Sequence, residues 1–173
     1  VTLGRPLSHD DDVIALRRQY ERLDARKFRL AAPLERSPAV TGGVPGEWIM
    51  APESRVERVI LYLHGGSFAF RFPNAHASLA GRLCRPLRAR ALIPDYRLTP
   101  EHPYPAAADD CLAAYRGLLA QGIDPRNIVL AGDSAGGNLV LVTLLRARAA
   151  GVPLPACAVL LSPALDCTLG SPS

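Results

Sequence analysis

Short apolar runs alternate with segments of helical periodicity along most of the chain. The runs Val56–Leu63, Ala89–Pro94 and Ala156–Leu161 are nearly unbroken, as buried strands covered on both faces are. Between them, Asn74–Arg88 and Ala106–Gln121 carry apolar residues at helical spacing. This alternation predicts an α/β fold in which helices flank a mostly parallel central sheet and the crossovers are right-handed.

The first 45 residues follow a different pattern. Asp10–Leu30 has apolar residues near helical spacing and acidic residues at its start, which predicts an amphipathic helix. Prolines and glycines predict a loop over Ser37–Gly46, and a short strand follows at Glu47–Ala51. We predict a cap segment with its linker over residues 1–45 and a core over residues 46–173. An ordinary packing helix explains the Asp10–Leu30 pattern equally well.

A glycine-rich turn joins the apolar run Ile128–Ala131 to a second apolar run that is long enough for a helix. The turn reads Gly-Asp-Ser-Ala-Gly-Gly and its serine is Ser134. A Gly-x-Ser-x-Gly turn between a strand and a helix is typical of a nucleophile elbow, whose strained backbone exposes the serine hydroxyl. We expect Cβ atoms at Gly132 and Gly136 to crowd such a turn. By itself, this short pattern also occurs by chance in glycine-rich loops.

A second glycine turn, His64-Gly65-Gly66, follows the run Val56–Leu63. Two glycines after a central strand allow a sharp turn whose N–H groups can form an oxyanion hole for a tetrahedral intermediate. A structural turn that leads into the next helix is the alternative. Ligands of parallel sheets bind outside the carboxyl ends of the strands, so we expect this turn and Ser134 to be neighbours.

Composition and charge exclude several classes of protein. The 173 residues are 49% hydrophobic and 21% charged, as expected of a globular domain. No apolar run approaches the ~20 residues of a membrane helix, so we predict no membrane span. The arginines behind the net charge of +4 are scattered, which argues against a nucleic-acid partner. The N-terminus lacks a signal pattern, and we expect a cytoplasmic protein.

The cysteines do not indicate a metal site. Cys84, Cys111, Cys157 and Cys167 lack the spacing of metal ligands, and each lies in or near an apolar stretch. We therefore interpret them as buried free thiols. No motif in the chain indicates a cofactor, so we predict neither a bound metal nor a cofactor.

Together these motifs resemble the hormone-sensitive-lipase-like esterases, also called bacterial type IV esterases, which have the α/β-hydrolase fold. The resemblance extends from about Trp48 to Asp166 and rests on four segments: His64–Gly66, Tyr96–Ala106, Gly132–Gly137 and Ser162–Asp166. It implies that Ser134 is the catalytic nucleophile. It also implies that the N–H groups of Gly65, Gly66 and Ala135 form the oxyanion hole.

The same resemblance assigns supporting roles to other residues. His64, Gly132, Asp133, Gly136 and Gly137 belong to the structural motifs of the site. The segment Arg97–Pro105 is expected to brace the structure without taking part in catalysis. The N-terminal helix is expected to form part of a cap over the acyl pocket.

The sequence departs from this family after Ser134. In the family an acid and then a histidine follow the serine, whereas here no histidine follows it and Asp166 is the only later acid. Asp166 matches the strand-end motif and not the triad acid. His64 adjoins the glycine turn and His102 lies in the proline-rich segment, so we expect neither to act as the general base.

The sequence therefore predicts an incomplete fold whose C-terminal strands are missing. Ala156–Leu161 would then be an apolar sheet edge. We expect a fragment of a larger enzyme, or a chain whose edge is covered by association with another chain or by the missing C-terminal segment.

Three functions are compatible with these residues. The parent protein is expected to hydrolyse short- to medium-chain carboxylic esters, which are small-molecule substrates, through an acyl-enzyme on Ser134. This chain alone is expected to be inactive or very weak, because it lacks the base. A catalytically dead relative that binds a small molecule or a protein is the second interpretation. Amide or thioester cleavage on the same fold is the third.

Overall fold

A six-stranded sheet forms the centre of the computed structural model, which describes residues 10–166. Residues 1–9, where the predicted cap segment starts, and residues 167–173, which include Cys167, lie outside the described residues. The strands are β1 (Glu35–Thr41), β2 (Val44–Met50), β3 (Arg55–Leu63), β4 (Ala89–Pro94), β5 (Ile128–Asp133) and β6 (Cys157–Leu161). The helices are α1 (Asp10–Lys27), α2 (Pro73–Leu87), α3 (Ala106–Ala120) and α4 (Ala135–Ala149).

The strand order of the sheet is β1-β2-β4-β3-β5-β6. Strands β4, β3, β5 and β6 run parallel, whereas β1 and β2 extend one edge in antiparallel pairing. Helices α2, α3 and α4 each connect two successive parallel strands. The predicted α/β class with a mostly parallel sheet is thus confirmed. Because Leu63 pairs with Gly132, the carboxyl ends of β3 and β5 lie side by side.

The prediction of a loop over Ser37–Gly46 is wrong. This segment contains most of β1 and the start of β2, joined by a two-residue turn at Gly42 and Gly43. Both glycines have positive φ angles, 62° and 80°, which suit a tight hairpin turn between twisted strands. Pro38 is tolerated because β1 is an edge strand. The hairpin also places the predicted boundary between residues 45 and 46 inside β2.

The last strand was predicted to be buried, and this prediction is also wrong. Strand β6 pairs only with β5 among the described residues, and its exposed residues alternate with half-buried ones. Val159 and Leu161 are 41% and 39% exposed. Cys157 is exposed as well, in contrast to the buried thiol predicted there, whereas Cys84 and Cys111 are buried. The expected apolar edge at this end of the sheet is confirmed.

Two apolar clusters cover the two faces of the sheet. Alternate residues of β3 contribute to them: Leu61 and Leu63 pack with α3 and α4, whereas Ile60 and Tyr62 pack with α2. This alternation follows from the two-residue period of a strand. The sheet is thus covered on both sides where the carboxyl ends of β3 and β5 meet. Of the helices described, none combines the length and apolar character needed to cross a bilayer.

Candidate active site

Ser134 occupies the sharp turn between β5 and α4. Its backbone φ and ψ angles are 50° and −119°, a strained conformation for a residue with a side chain. A Cβ atom at Gly132 would lie 2.6 Å from the Gly136 backbone, and one at Gly136 would overlap the Leu63 carbonyl oxygen. One at Gly137 would lie 2.8 Å from the Pro163 side chain. The sharp turn therefore depends on these glycines, as the sequence predicts.

Backbone hydrogen bonds hold the turn around Ser134, residues 132–137, which we call the serine turn. The Ser134 N–H donates to the Leu161 carbonyl at 3.0 Å, and the Ser134 carbonyl accepts from Ala164 at 3.0 Å and from Asn138 at 3.2 Å. The Ser134 side chain itself does not cap the N-terminus of α4. Among the described residues, the Ala135 N–H has no hydrogen-bond partner. It lies at the positive end of the helix dipole, where an anion is stabilised.

The chain after β3 makes a second strained turn, residues 65–70, which we call the glycine turn. Gly66, Ser67 and Phe68 have consecutive positive φ angles of 123°, 54° and 59°. The Gly66 carbonyl closes the turn by accepting from Ala69 at 3.0 Å and from Phe70 at 2.7 Å. The Gly66 N–H, in contrast to the carbonyl, has no hydrogen-bond partner in the part of the chain that the structure describes.

The N–H of Gly65, which was predicted to be part of the oxyanion hole, makes a different contact. This N–H donates to Asp133 Oδ1 at 3.0 Å, and the same carboxylate oxygen accepts from the Tyr62 hydroxyl at 2.8 Å. A Cβ atom at Gly65 would overlap the Asp133 carboxylate. The Gly65 N–H is therefore occupied and is not free for an oxyanion, in contrast to the predicted role. Asp133 instead ties the glycine turn to the serine turn.

The His64 ring is a buried part of the scaffold. Its Nδ1 donates to the Gly65 carbonyl at 2.8 Å, and the Tyr96 hydroxyl donates to the His64 carbonyl at 2.6 Å. The ring stacks between Tyr96 and His76, with centroid distances of 4.2 and 5.2 Å. Burial lowers the pKa of His64 to about 3.

No described histidine serves Ser134 as a base. The Nδ1 atom of His64 is engaged with Gly65, and the ring Nε2 is buried without a partner. His102 is exposed in the proline-rich segment. Within residues 10–166, no histidine ring is hydrogen-bonded to the Ser134 hydroxyl. Among the described residues, no histidine is therefore placed to take a proton from the Ser134 hydroxyl.

The segment Arg97–Pro105 supports the glycine turn from outside. Arg97 forms an ion pair with Asp110 of α3 at 2.7 Å, and its backbone N–H donates to the same carboxylate at 2.9 Å. Burial favours the neutral form of Asp110, but the hydrogen bonds and charge of Arg97 outweigh it and lower the pKa. Two residues on, the Thr99 N–H donates to the Phe68 carbonyl at 2.9 Å. The segment therefore connects α3 to the glycine turn.

Helix α1 contributes contacts that the sequence pattern did not reveal. Asp24 is buried and accepts from the N–H groups of Asn74 at 2.8 Å and Ala75 at 2.9 Å, so it caps the N-terminus of α2. Arg17 contacts both the glycine turn and the Thr99–Glu101 segment. In the sequence, the one local indication of these contacts is an aspartate among the apolar positions of the helix, and it does not identify the partner.

An apolar cavity of about 320 Å³ lies beside the glycine turn. Ser67 and Phe68 form one wall, and the other walls come from the proline-rich segment, the start of α3 and the N-terminal half of α4. Its apolar lining includes Ala107, Ala108, Leu139 and Val142. The cavity is large enough for a small apolar group.

Comparisons with known proteins decide the family. A family model described as the alpha/beta hydrolase fold matches residues 60–173, which is about two thirds of the chain. The chain belongs to the α/β hydrolase fold family. In this α/β hydrolase, the matched region contains β4, β5, β6, α2, α3 and α4, the glycine turn and Ser134.

Relatives of this α/β hydrolase are named esterases. It is 38% identical to an esterase of Acinetobacter venetianus over 159 residues, which cover 92% of this chain and 52% of that protein. A crystal structure of an esterase from the bacterial hormone-sensitive lipase family is 43% identical with a TM-score of 0.83, covering 92% of this chain and 52% of that one. The esterase EstE5, soaked with p-nitrophenyl butyrate, is 40% identical with a TM-score of 0.87, covering 98% and 56%.

The resemblance to the hormone-sensitive-lipase-like esterases is thereby confirmed. The chain spans about half the length of the relatives it matches.

Proposed function

We propose that the protein carrying these 173 residues is a carboxylic-ester hydrolase with Ser134 as its nucleophile. The observation that carries this proposal is the strained φ angle of 50° at Ser134, beside the N–H of Ala135, which has no hydrogen-bond partner within residues 10–166. Proteins retain such strain where it serves a function. The names of the similar esterases support the proposed reaction.

In the proposed reaction, the Ser134 oxygen attacks the ester carbonyl carbon while a general base takes the hydroxyl proton. The carbonyl oxygen becomes an oxyanion, which the N–H groups of Gly66 and Ala135 stabilise. Each such donor contributes roughly 3–4 kcal/mol to lowering the barrier. The C–O bond then breaks, the alcohol leaves with the proton, and an acyl-enzyme remains. Water then attacks this ester, the carboxylic acid leaves, and a proton from the water restores the Ser134 hydroxyl.

The general base is proposed to lie outside this sequence. Of the four histidines, none follows Ser134, and those described make no hydrogen bond to its hydroxyl. The relatives are about twice as long, which leaves room for the acid and the histidine. The chain of 173 residues is accordingly expected to be far less active than a protein with all three groups.

The substrate is proposed to be a small ester with a short to medium acyl chain. The cavity beside the glycine turn is mostly apolar and holds about 320 Å³, which suits a few carbon atoms. The structure of EstE5 soaked with p-nitrophenyl butyrate suggests this ester as the first probe.

The proposal is tested by hydrolysis of p-nitrophenyl butyrate by the protein that carries this chain and by its Ser134→Ala variant. We expect the kcat of Ser134→Ala to fall by about 10⁴-fold or more, because no acyl-enzyme can form. Ser78→Ala, a half-buried serine of α2, serves as the matched control and should retain activity. Equal rates for the wild type and Ser134→Ala would contradict the proposal.

The lack of a hydrogen-bonded histidine at Ser134 in the part of the chain that the structure describes favours a second candidate. A relative that keeps the fold without hydrolysis would use the site to bind a small molecule or a protein. Under this alternative, both the wild type and Ser134→Ala are inactive, and both bind the same ligand with equal affinity.

We also propose that another segment or another chain covers the free edge of β6. Val159 and Leu161 of β6 are 41% and 39% exposed, Leu165 after the strand is 52% exposed, and Leu141 and Leu145 of α4, the helix that contacts β6, are 36% and 55% exposed. An apolar strand edge with such neighbours is a ready template for pairing.

A further inference from the structure

We propose that Arg17 is a positioning residue for the oxyanion hole, an inference that rests on the proposed ester hydrolysis. Arg17 Nε donates to the Ala69 carbonyl of the glycine turn at 2.6 Å. One terminal nitrogen donates to the Thr99 carbonyl at 2.5 Å. The guanidinium also forms an ion pair with Glu101 at 2.7 Å. Arg17 therefore joins the glycine turn to the segment that supports it.

The glycine turn needs such support because its backbone is strained. Ser67 and Phe68 carry side chains but have φ angles of 54° and 59°. Residues other than glycine adopt positive φ angles at an energetic cost and keep them only where surrounding contacts enforce them. The direction of the Gly66 N–H depends on the same backbone. A turn that relaxes would move this donor away from the oxyanion.

Arg17 closes a ring of contacts around the two strained residues. On one side the Phe68 carbonyl accepts from the Thr99 N–H at 2.9 Å. On the other side Arg17 donates to the carbonyls of Ala69 and Thr99. The glycine turn and the segment that supports it are therefore connected twice, once directly and once through the guanidinium. The five N–H donors of a planar guanidinium allow one side chain to bind two carbonyls and a carboxylate together.

The surroundings of Arg17 are consistent with an ordered contact. Its side chain is only 13% exposed. The hydrogen bond from Arg17 lowers the pKa of Glu101, so this carboxylate is charged at neutral pH. Loss of the guanidinium would leave two carbonyls and a carboxylate without their donor.

The docking of α1 does not depend on Arg17 alone. The Tyr20 ring packs on Phe70 and Phe72 with centroid distances of 5.5 and 5.8 Å. Glu21 pairs with Arg71 at 3.0 Å, and Asp24 caps α2. We therefore expect substitution of Arg17 to loosen the turn while α1 stays in place.

The test uses Arg17→Gln and Arg17→Lys in the protein that carries this chain, with p-nitrophenyl butyrate as substrate. We expect Arg17→Gln to lower kcat by about 10- to 100-fold with KM within about 3-fold, because a misplaced donor affects the transition state more than the bound ester. Lysine keeps the charge but lacks the planar guanidinium, so Arg17→Lys should recover part of kcat. Arg22→Gln removes a charge from an exposed position of α1 and is the control.

A second readout separates positioning from general loss of structure. A trifluoromethyl ketone forms a tetrahedral adduct with the serine whose oxyanion occupies the hole. Its inhibition constant should rise for Arg17→Gln by the same factor by which kcat/KM falls. Binding of the carboxylic acid product, which has no tetrahedral centre, should stay unchanged.

The outcomes distinguish this inference from the proposed function. If Ser134→Ala is inactive but Arg17→Gln keeps kcat within about 2-fold, the positioning role is overturned and the hydrolase proposal stands. If Ser134→Ala retains the wild-type rate, the hydrolase proposal itself has failed. Should Arg17→Gln not fold, Arg17→Lys decides. A folded Arg17→Lys with wild-type kcat and ketone affinity would overturn the role, and a parallel loss in both would support it.

Discussion

The His64 imidazole is enclosed by Tyr96, His76 and the Gly65 carbonyl, and this enclosure determines its protonation. A charged ring would lose its hydration without gaining a carboxylate partner, so burial lowers the pKa from 6.5 to about 3. Burial also lowers the pKa of the neighbouring His76, although its Nε2 lies 3.9 Å from Asp133 Oδ1. At neutral pH the ring is therefore a neutral support for the glycine turn.

This shift predicts how stability depends on pH. Between pH 6.5 and about 3, the unfolded chain binds a proton at His64 that the folded chain does not. The stabilisation is therefore complete above pH 6.5 and decreases as the pH falls towards 3. The expected slope from His64 is up to about 1.4 kcal/mol of unfolding free energy per pH unit.

Urea unfolding from about pH 5 to 6.5 measures this slope, a range in which most carboxylates stay ionised. His64→Gln should reduce the slope relative to the wild type. His102→Gln changes an exposed ring and should leave the slope unchanged. Identical slopes for the wild type and His64→Gln would show that the buried ring does not control this pH dependence.

Among the elements, the parallel strands and their helices were predictable because their signals are local. Strand β4 has the predicted bounds, Ala89–Pro94, and α2 differs from its predicted bounds by one residue at each end. The hairpin of β1 and β2 was missed because Pro38, Pro45 and the two turn glycines give the composition of a loop. Its pairing with the rest of the sheet has no local signature.

At the candidate site too, features set by residues close in sequence were predictable, whereas contacts between distant segments were not. The glycine spacing around Ser134 predicted the turn, because the clash between a Cβ atom at Gly132 and the Gly136 backbone acts between residues close in sequence, whereas the clash at Gly136 is with the distant Leu63 carbonyl. The occupied N–H of Gly65 could not be predicted, since its partner Asp133 is 68 positions away. The contacts of Arg17 with Ala69 and Thr99 likewise span 52 and 82 positions.

The free edge of β6 leads to a prediction for the chain of 173 residues by itself. We expect it to self-associate, because an apolar edge strand offers unpaired N–H and C=O groups to a second copy. Val159→Lys places a charge at a residue that is 41% exposed on this edge and should shift the chain towards monomer. Light scattering after size-exclusion chromatography measures the change in mass.

Val56→Lys is the matched control for this substitution. Val56 is 65% exposed near the start of β3, away from the β6 edge, so its replacement should not change the mass distribution. A wild-type chain that is monomeric at all concentrations would contradict the predicted pairing.

For the whole molecule, the fold brings two strained turns together at the carboxyl ends of β3 and β5. The serine turn supplies Ser134 and Ala135, and the glycine turn supplies Gly66. Asp133 and Arg17 connect these turns to each other and to α1. The α/β hydrolase fold and the similar esterases agree with the proposed use of this arrangement.

The most direct test of the proposed nucleophile is peptide mapping after treatment with phenylmethanesulfonyl fluoride. The reagent forms a sulfonyl ester with an activated serine and releases fluoride, so the protein that carries this chain should gain one adduct, on Ser134. The Ser134→Ala variant should gain none. An adduct on another serine, with Ser134 unmodified, would contradict the assignment of Ser134 as the nucleophile.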